Sequence, residues 1–302
     1  MRPLFTAILH FHPDYDFTSV DVITDRWAFS QLLSHFGKLR DKGAAFGFQA
    51  QVIGNTVVFM SNDAGNAEVI GTNPRSFRGF RDNFGAEYLQ CRADCADSVS
   101  HYGIVEYDLD GIKILLRHKV NGFLDEKAPE ALIDLLSLEV PVPGDLKYAK
   151  GDIVVRSAGC LVTQAAHLEL STAKSVNTVE KYLEKEIPEQ WISQTPNFIR
   201  VVLDYPPPRR NVATMRAVVK EIEVRDAKKD VCQWVDHNQD GITKFHGGLQ
   251  SLLVELRDRS VSEGRDMYVI HHEANESSIR IVEARPDRPR LAVEVDQVLF
   301  AA

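Results

Sequence analysis

Hydrophobic residues recur along the chain at two spacings, which predict a mixture of strands and helices. Apolar and polar residues alternate from position 16 to 25, and apolar residues then recur at helical spacing from position 27 to 39. Positions 46 to 59 predict two strands joined by a turn at Gly54 and Asn55, because both residue types favour turns.

The rest of the chain repeats this mixture and predicts, in order, a hairpin over residues 99–123, strands within 154–170, a short polar helix over 178–185, a strand over 197–205, a long helix over 231–260 and a final hairpin over 267–284. Such strand-rich segments with few helices predict an α+β fold. We expect a single large mixed domain over residues 1–302, with a central, mostly antiparallel sheet and flanking helices. Weak order, where it occurs, is expected at residues 1–12 and 285–302.

The composition is that of a globular chain with a sizeable core, since 44% of its 302 residues are hydrophobic. No run approaches the ~20 apolar residues of a membrane span, and the N-terminal region lacks the small-residue cleavage site of a signal peptide. The four cysteines are too few and too irregular for a disulfide framework. We therefore expect a cytoplasmic protein that does not associate with membranes.

The net charge of −8 argues against diffuse binding along nucleic acid, for which an overall basic balance is typical. A local basic site is still predicted by residues 75–81, where arginines such as Arg78 interleave with phenylalanines. That arrangement suits phosphate neutralisation and base stacking. The alternative is a loop whose phenylalanines anchor it to the core.

Common catalytic motifs are absent from the sequence. The chain has no Gly-rich phosphate loop, no dinucleotide-binding Gly-x-Gly-x-x-Gly, no zinc-binding His-Glu-x-x-His and no Gly-x-Ser-x-Gly elbow. Asp236 begins a segment that is similar to a calcium loop, but the closing position holds Gly247 where glutamate is needed. We therefore expect neither a metal ion nor an organic cofactor.

The strand around Lys119 has the alternation of a metal-binding nuclease strand without its ligands. Residues two apart on a strand project to the same face, so such a strand needs carboxylates at alternate positions. Here those positions hold Lys119 and Asn121. An ammonium repels a divalent cation and an amide binds it weakly, so metal-dependent phosphodiester cleavage is not expected. His118 projects to the opposite face and is interpreted as structural.

Segments spread from Tyr15 to Glu283 resemble a family of fungal proteins that are left as hypothetical or labelled geranylgeranyl pyrophosphate synthetase-like. They include Val22-Ile23-Thr24-Asp25-Arg26, Phe77-Arg78-Gly79-Phe80, Leu168-Glu169-Leu170 and Trp191-Ile192-Ser193-Gln194-Thr195-Pro196. The label conflicts with the sequence, because prenyl synthases are all-helical and depend on paired aspartate motifs. More distantly, the pattern resembles the DXO-type RNA decapping nucleases, which hold metal ions beside an RNA phosphate with a Glu-x-Asp and a Glu-x-Lys strand.

That resemblance implies the DXO-type nuclease fold and places its metal site on four residues of this chain. The Glu-x-Asp pair falls on Lys119 and Asn121, and the Glu-x-Lys pair falls on Glu169 and Ser171. Only Glu169 keeps its carboxylate, and one carboxylate cannot hold two metal ions. The alternatives are a decayed pseudoenzyme, in which Lys119 pairs with Glu169, and replacement chemistry in the same cleft.

Replacement chemistry is suggested by a second resemblance, to fungal arginine-containing cyclodipeptide synthases, which consume aminoacyl-tRNA without metal or ATP. It implies arginyl-tRNA and a second aminoacyl-tRNA as partners. Lys119 and Asn121 would then stabilise an oxyanion. Ser171 would accept the acyl group and Glu169 would orient the amine. We take this synthase as the favoured function, with a degenerate RNA-processing nuclease or a non-catalytic RNA-binding relative as alternatives.

Six further residues are predicted to contact the substrate: Asp25, Arg26, Arg78, Glu106, Trp191 and Gln194. Asp25, Glu106 and Glu169 are carboxylates that could pair with an arginine guanidinium. Asp25 and Arg26 have the alternative of an internal ion pair that caps the following helix. Trp191 has the alternative of a core residue.

Overall fold

The computed structural model describes residues 1–39, 45–61, 80–91, 93–96, 98, 100–124, 162–173, 179–204, 217–274 and 276–284. These residues form two sheets with helices packed against them. Three parts of the sequence predictions lie outside the described residues: the strand expected before residue 162, the basic residue Arg78 and the stretch 285–302.

Seven strands form the larger sheet: β1 (Val22–Asp25), β2 (Phe46–Ile53), β3 (Thr56–Ser61), β4 (His101–Leu109), β5 (Ile112–Val120), β10 (Met267–His272) and β11 (Arg280–Glu283). Their order across the sheet is β11-β10-β2-β3-β1-β5-β4. Strand β1 pairs in parallel with β3 and β5, whereas the other neighbours are antiparallel. The sheet is therefore mixed but mostly antiparallel.

Three helices cover its two faces, with α1 (Arg2–Phe11) on one face and α2 (Arg26–Gly37) and α6 (Gln239–Glu263) on the other. Side chains of a strand alternate between faces, so β5 contributes residues to the hydrophobic core on each face of the sheet. Leu115 packs in the α1 core, and Leu116 packs in the core beneath α2 and α6. Val22 and Ile23 divide in the same way, which makes β1 buried on both faces.

Four strands form the smaller sheet, in the order β6-β7-β8-β9: β6 (Gly122–Phe123), β7 (His167–Ala173), β8 (Asn197–Asp204) and β9 (Val218–Asp226). Helices α3 (Phe80–Tyr88) and α4 (Val179–Ser193) contact β7, and α5 (Lys228–His237) contacts α4. Leu168 and Leu170 of β7 pack in a core with Phe84 of α3. Glu169 and Ser171 alternate with them and therefore project to the opposite face.

The predicted α+β fold, with a large, mostly antiparallel sheet and flanking helices, is confirmed. The long helix expected at 231–260 is instead two helices, α5 and α6, which meet at Asn238. Helices α1 and α3 and strand β9 have no counterpart in the sequence prediction. Residues 2–11, where weak order was expected, form α1 and bury Leu4 and Phe5. No helix in the described part of the chain is long and apolar enough to cross a membrane.

Candidate functional site

The junction of β1 and α2 places a charged side chain beside the smaller sheet. Strand β1 ends at Asp25, whose carboxylate caps α2 by accepting a hydrogen bond from the Ala28 N–H at 2.9 Å. Its second oxygen accepts a hydrogen bond from the Ser61 N–H at 3.3 Å. Because no loop separates strand and helix, Arg26 is the first residue of α2 and its position is set by this cap.

Arg26 forms a short and largely buried ion pair with Glu169 of β7. Its Nη1 atom lies 2.7 Å from Oε2 of Glu169, and the two side chains are 16% and 7% exposed. Arg81 of α3 approaches the other oxygen, with Nη1 3.8 Å from Oε1, and its side chain is 46% exposed. Within the described residues these two arginines, and not Lys119, are the ion-pair partners of Glu169.

A second carboxylate of the site, Glu186 of α4, is easily protonated. The Ser171 hydroxyl donates a hydrogen bond to its Oε1 atom at 2.6 Å. Burial raises the pKa of Glu186 from 4.5 to about 7, and the charges of Glu169 and Glu189 act in the same direction, while the Ser171 hydrogen bond opposes them. Burial opposes the charge of Arg26, yet its pKa is raised because these three carboxylates favour the cation.

Asn121 joins the two sheets beside the ion pair. Its Oδ1 atom accepts a hydrogen bond from the Leu170 N–H at 3.0 Å, which ties the end of β5 to β7. Lys119 lies opposite Tyr102 in the ladder of β4 and β5. The structure therefore brings Asn121 to the strand that carries Glu169, and it places Lys119 two residues earlier on β5.

His118 projects from β5 toward the side on which Arg26 lies. Its ring centroid is 5.8 Å from that of His167 on β7, and both side chains are buried. Burial, together with the charge of Arg26, lowers the pKa of His118 to about 3, so the imidazole is neutral. Gly103 of β4 makes room for the ring, because a Cβ atom there would lie 2.7 Å from Nε2 of His118.

The remaining predicted substrate contacts have partners within the protein. Glu106 accepts a hydrogen bond from the Tyr15 hydroxyl at 2.8 Å. Trp191 packs against Trp234 with ring centroids 5.5 Å apart. The Gln194 side-chain amide donates a hydrogen bond to the Trp191 carbonyl at 2.6 Å. These three side chains therefore have contacts within the protein that account for them without a substrate.

Sequence reasoning did not place Arg81 and Glu186 in the site. Arg81 closes the interleaved segment 75–81, so a signal for it was present. Glu186 lies beyond the expected end of the polar helix, because α4 continues through Pro188 to Ser193. Proline usually ends or kinks a helix, which makes that continuation hard to foresee.

The cluster does not fit the divalent metal ions that a DXO-type nuclease site implies. Among the described residues, no group of three His, Cys, Asp or Glu side chains could hold a metal ion. Glu169 is already paired with Arg26, and Glu186 is easily protonated. A divalent cation prefers several charged oxygen ligands. The Arg26 guanidinium already places a positive charge beside Glu169.

Solved structures with the same fold include Rai1 and Dxo1 proteins. Scheffersomyces stipitis Rai1 in complex with (3'-NADP)+ and calcium ion is 14% identical over 94% of this chain and 72% of its own, with a TM-score of 0.56. Candida albicans Rai1 in complex with pU5-Mn2+ is 11% identical over 88% of this chain and 69% of its own, with a TM-score of 0.51. K. lactis Dxo1 in complex with manganese is 9% identical over 96% of this chain and 72% of its own, with a TM-score of 0.54. This likeness confirms the DXO-type fold.

The chain belongs to a family described as a domain of unknown function, DUF8563, whose model matches residues 1–296. A comparison with curated proteins gives no match.

The favoured synthase function is wrong, because the structures that share this fold are of the RNA-processing nuclease type and not aminoacyl transferases. The acyl-acceptor and oxyanion roles of Ser171, Lys119 and Asn121 lose their basis with it. So does the expectation of arginyl-tRNA and a second aminoacyl-tRNA as partners. In the structure, the Ser171 hydroxyl and the Asn121 amide are instead hydrogen-bonded to Glu186 and to the Leu170 backbone.

Replacing Arg26 by alanine is expected to lower the free energy of unfolding by about 3 kcal/mol, because it leaves Glu169 buried without its partner. Adding Glu169→Gln should recover part of this loss. The control Arg265→Ala breaks an exposed pair with Glu283, with N and O 2.6 Å apart, and should cost at most about 1 kcal/mol. Denaturant titration measures all three, and equally small losses for Arg26→Ala and Arg265→Ala would contradict the assignment.

The pKa of Glu186 also makes the stability depend on pH. The folded protein keeps a proton that the unfolded chain releases, so the free energy of unfolding falls as the pH rises from 4.5 to about 7. Glu186→Gln removes this pH dependence. Its free energy of unfolding relative to that of the wild type should therefore rise by about 2 kcal/mol from the lower to the upper end of that pH range. Ser171→Ala removes a hydrogen bond that lowers the pKa, so it should move the transition to higher pH. A difference between Glu186→Gln and wild type that stays constant with pH would refute this.

Proposed function

We propose that this protein binds the 5′ end of RNA at the junction of its two sheets and does not cleave it with metal ions. The DXO-type fold supports RNA as the ligand. The observation that carries the proposal is the ion pair of Arg26 and Glu169, with N and O 2.7 Å apart. It commits the inherited carboxylate to an internal cation and leaves arginines, not metal ions, to meet a phosphate.

Arg81 supports the phosphate-binding part of the proposal. Its guanidinium is nearly half exposed and lies 3.8 Å from Glu169, which makes this contact the weaker of the two. Arg81 can therefore turn toward an anionic ligand while Arg26 continues to neutralise Glu169. A guanidinium binds phosphate oxygens bidentately. A terminal phosphate carries more charge than an internal phosphodiester, so this arginine favours a phosphorylated end.

The side chains at the positions of the metal ligands argue against metal-dependent cleavage. Two-metal hydrolysis needs carboxylates that hold both ions beside the attacking and leaving oxygens. The positions implied by the DXO-type resemblance hold Lys119, Asn121 and Ser171 in addition to Glu169. In Candida albicans Rai1 the ligand pU5 is accompanied by Mn2+. In this protein a ligand of that class would be held by arginine side chains instead.

We also propose a cytoplasmic location. Cys91 and Cys232 are free thiols. Unpaired cysteines are typical of proteins in a reducing compartment.

Fluorescence anisotropy with oligoribonucleotides that differ only at the 5′ end tests the binding. The wild type should bind the 5′-phosphorylated RNA more tightly than the 5′-hydroxyl form. Arg81→Ala should weaken binding of the phosphorylated RNA about tenfold, because a charge-assisted contact of roughly 1.5 kcal/mol is lost, and should hardly change binding of the other form. Arg265→Ala, which removes an equally exposed arginine, should change neither affinity. Equal affinity for both RNAs, or no binding, would exclude the proposal.

Gel analysis of the same RNAs tests the absence of cleavage. RNA incubated with the protein and magnesium or manganese should keep its length. RNA that shortens only when the metal is present, and no longer shortens with Glu169→Gln, would establish a metal-dependent nuclease in place of the proposed binding function.

A further inference from the structure

The free end of the hairpin of β4 and β5 presents an exposed aromatic ring beside a cation. Tyr102 lies directly opposite Lys119 in the antiparallel ladder, and Ile104 lies opposite Arg117. Opposite residues share one face of a sheet, so Tyr102, Arg117 and Lys119 project to the same side. The guanidinium carbon of Arg117 lies 4.9 Å from the centre of the Tyr102 ring, which is a cation–π contact.

The Tyr102 ring is both accessible and held in place. The residue is 53% exposed, in keeping with the position of β4 at the edge of the larger sheet. Arg117 is half-buried, and its Nε atom is buried without a hydrogen-bond partner in the described structure. The Arg117 guanidinium therefore covers one part of the ring, and the rest of the ring faces solvent.

The charge of Arg117 has no acidic partner within the described part of the chain, where its recorded contact is the Tyr102 ring. The whole chain carries a net charge of −8, so acidic side chains are not scarce. An arginine without an acidic partner among the described residues is suited to an anionic ligand. An aromatic ring beside it adds a surface on which a flat group can stack. Single-stranded nucleic acid offers both a flat base and an adjoining phosphate.

The Tyr102 surface lies at the same end of the larger sheet as the proposed binding site, since Asp25 lies opposite Arg117 in the ladder of β1 and β5, but it is on the opposite face. Ile104 packs against the α1 core, so Tyr102 projects to the α1 side of the sheet, whereas His118 projects to the other side. Strand β5 then ends, and Asn121 makes its hydrogen bond to β7. Two residues of extended chain span about 7 Å, so Lys119 lies within about that distance of Asn121 along the strand.

We propose that Tyr102 and Arg117 form a subsite that stacks a base of single-stranded RNA and neutralises the phosphate beside it. This inference rests on the proposed function, because it takes RNA as the ligand. It adds that the RNA is unpaired and that contacts extend beyond its first nucleotide. Stacking on one ring tolerates any base, so the subsite confers little sequence preference.

Anisotropy with a 5′-phosphorylated oligouridine of about eight nucleotides tests the subsite. Tyr102→Ala should weaken binding about tenfold, and Tyr102→Phe should retain it, because stacking needs the ring and not the hydroxyl. Phe11→Ala, which removes an aromatic residue that is 47% exposed in α1, is the matched control and should leave the affinity unchanged. Arg117→Gln should reduce the slope of log Kd against log salt concentration by about 0.7, the value for one lost phosphate contact on a single strand.

The outcomes separate this subsite from the proposed function. If the wild type binds the RNA and Tyr102→Ala binds it equally well, the subsite is overturned and the end-binding function stands. A loss as large for Tyr102→Phe as for Tyr102→Ala would also overturn it, since the hydroxyl and not the ring would then be responsible. If the wild type binds no RNA, both proposals fall. Circular dichroism melting of each variant distinguishes lost binding from lost folding. The salt dependence of RNA binding by Arg117→Gln is a second, independent measurement of the subsite.

Discussion

The ion pair between Arg26 and Glu169 is the interaction on which the rest of the site depends. Arg26 is the first residue of α2, which packs on the larger sheet, and Glu169 lies on a strand of the smaller sheet. The ion pair therefore links the two sheets. A cation at a helix N-terminus is disfavoured by the helix dipole, and two largely buried charges are costly to desolvate. Arg26 is stable there because Glu169 offsets both effects and Asp25 caps the helix beside it.

This pair also sets the charge state of its surroundings. The cation of Arg26 helps to keep His118 neutral, while Glu169 and Glu189 help to keep Glu186 easily protonated. A divalent cation would have to displace a guanidinium and recruit carboxylates that are already paired or protonated. The chemistry left to the cluster is the binding of anions by arginine. The more exposed Arg81 is the side chain best placed to do it.

Local patterns predicted much of the fold, because alternation and turn residues act over short distances. Gly54 and Gly111 adopt φ values of 58° and 89°, which explains why both hairpins turn where glycine occurs. The site was less predictable, because its parts meet only through packing. The resemblance located the position of Glu169, and the sequence marked Arg26 and the segment that ends at Arg81, but it did not indicate that either arginine would pair with Glu169. Strand β9 was not predicted, although Ile222 and Val224 alternate with charged residues there; both side chains are exposed in the structure.

The most direct test of this account is a titration of manganese into the purified wild-type protein, followed by electron paramagnetic resonance of the free ion. The account predicts that free and total manganese remain equal up to the protein concentration, because Glu169 is paired with Arg26 and Glu186 is easily protonated. Stoichiometric binding of one or two manganese ions per chain, lost with Glu169→Gln, would contradict it.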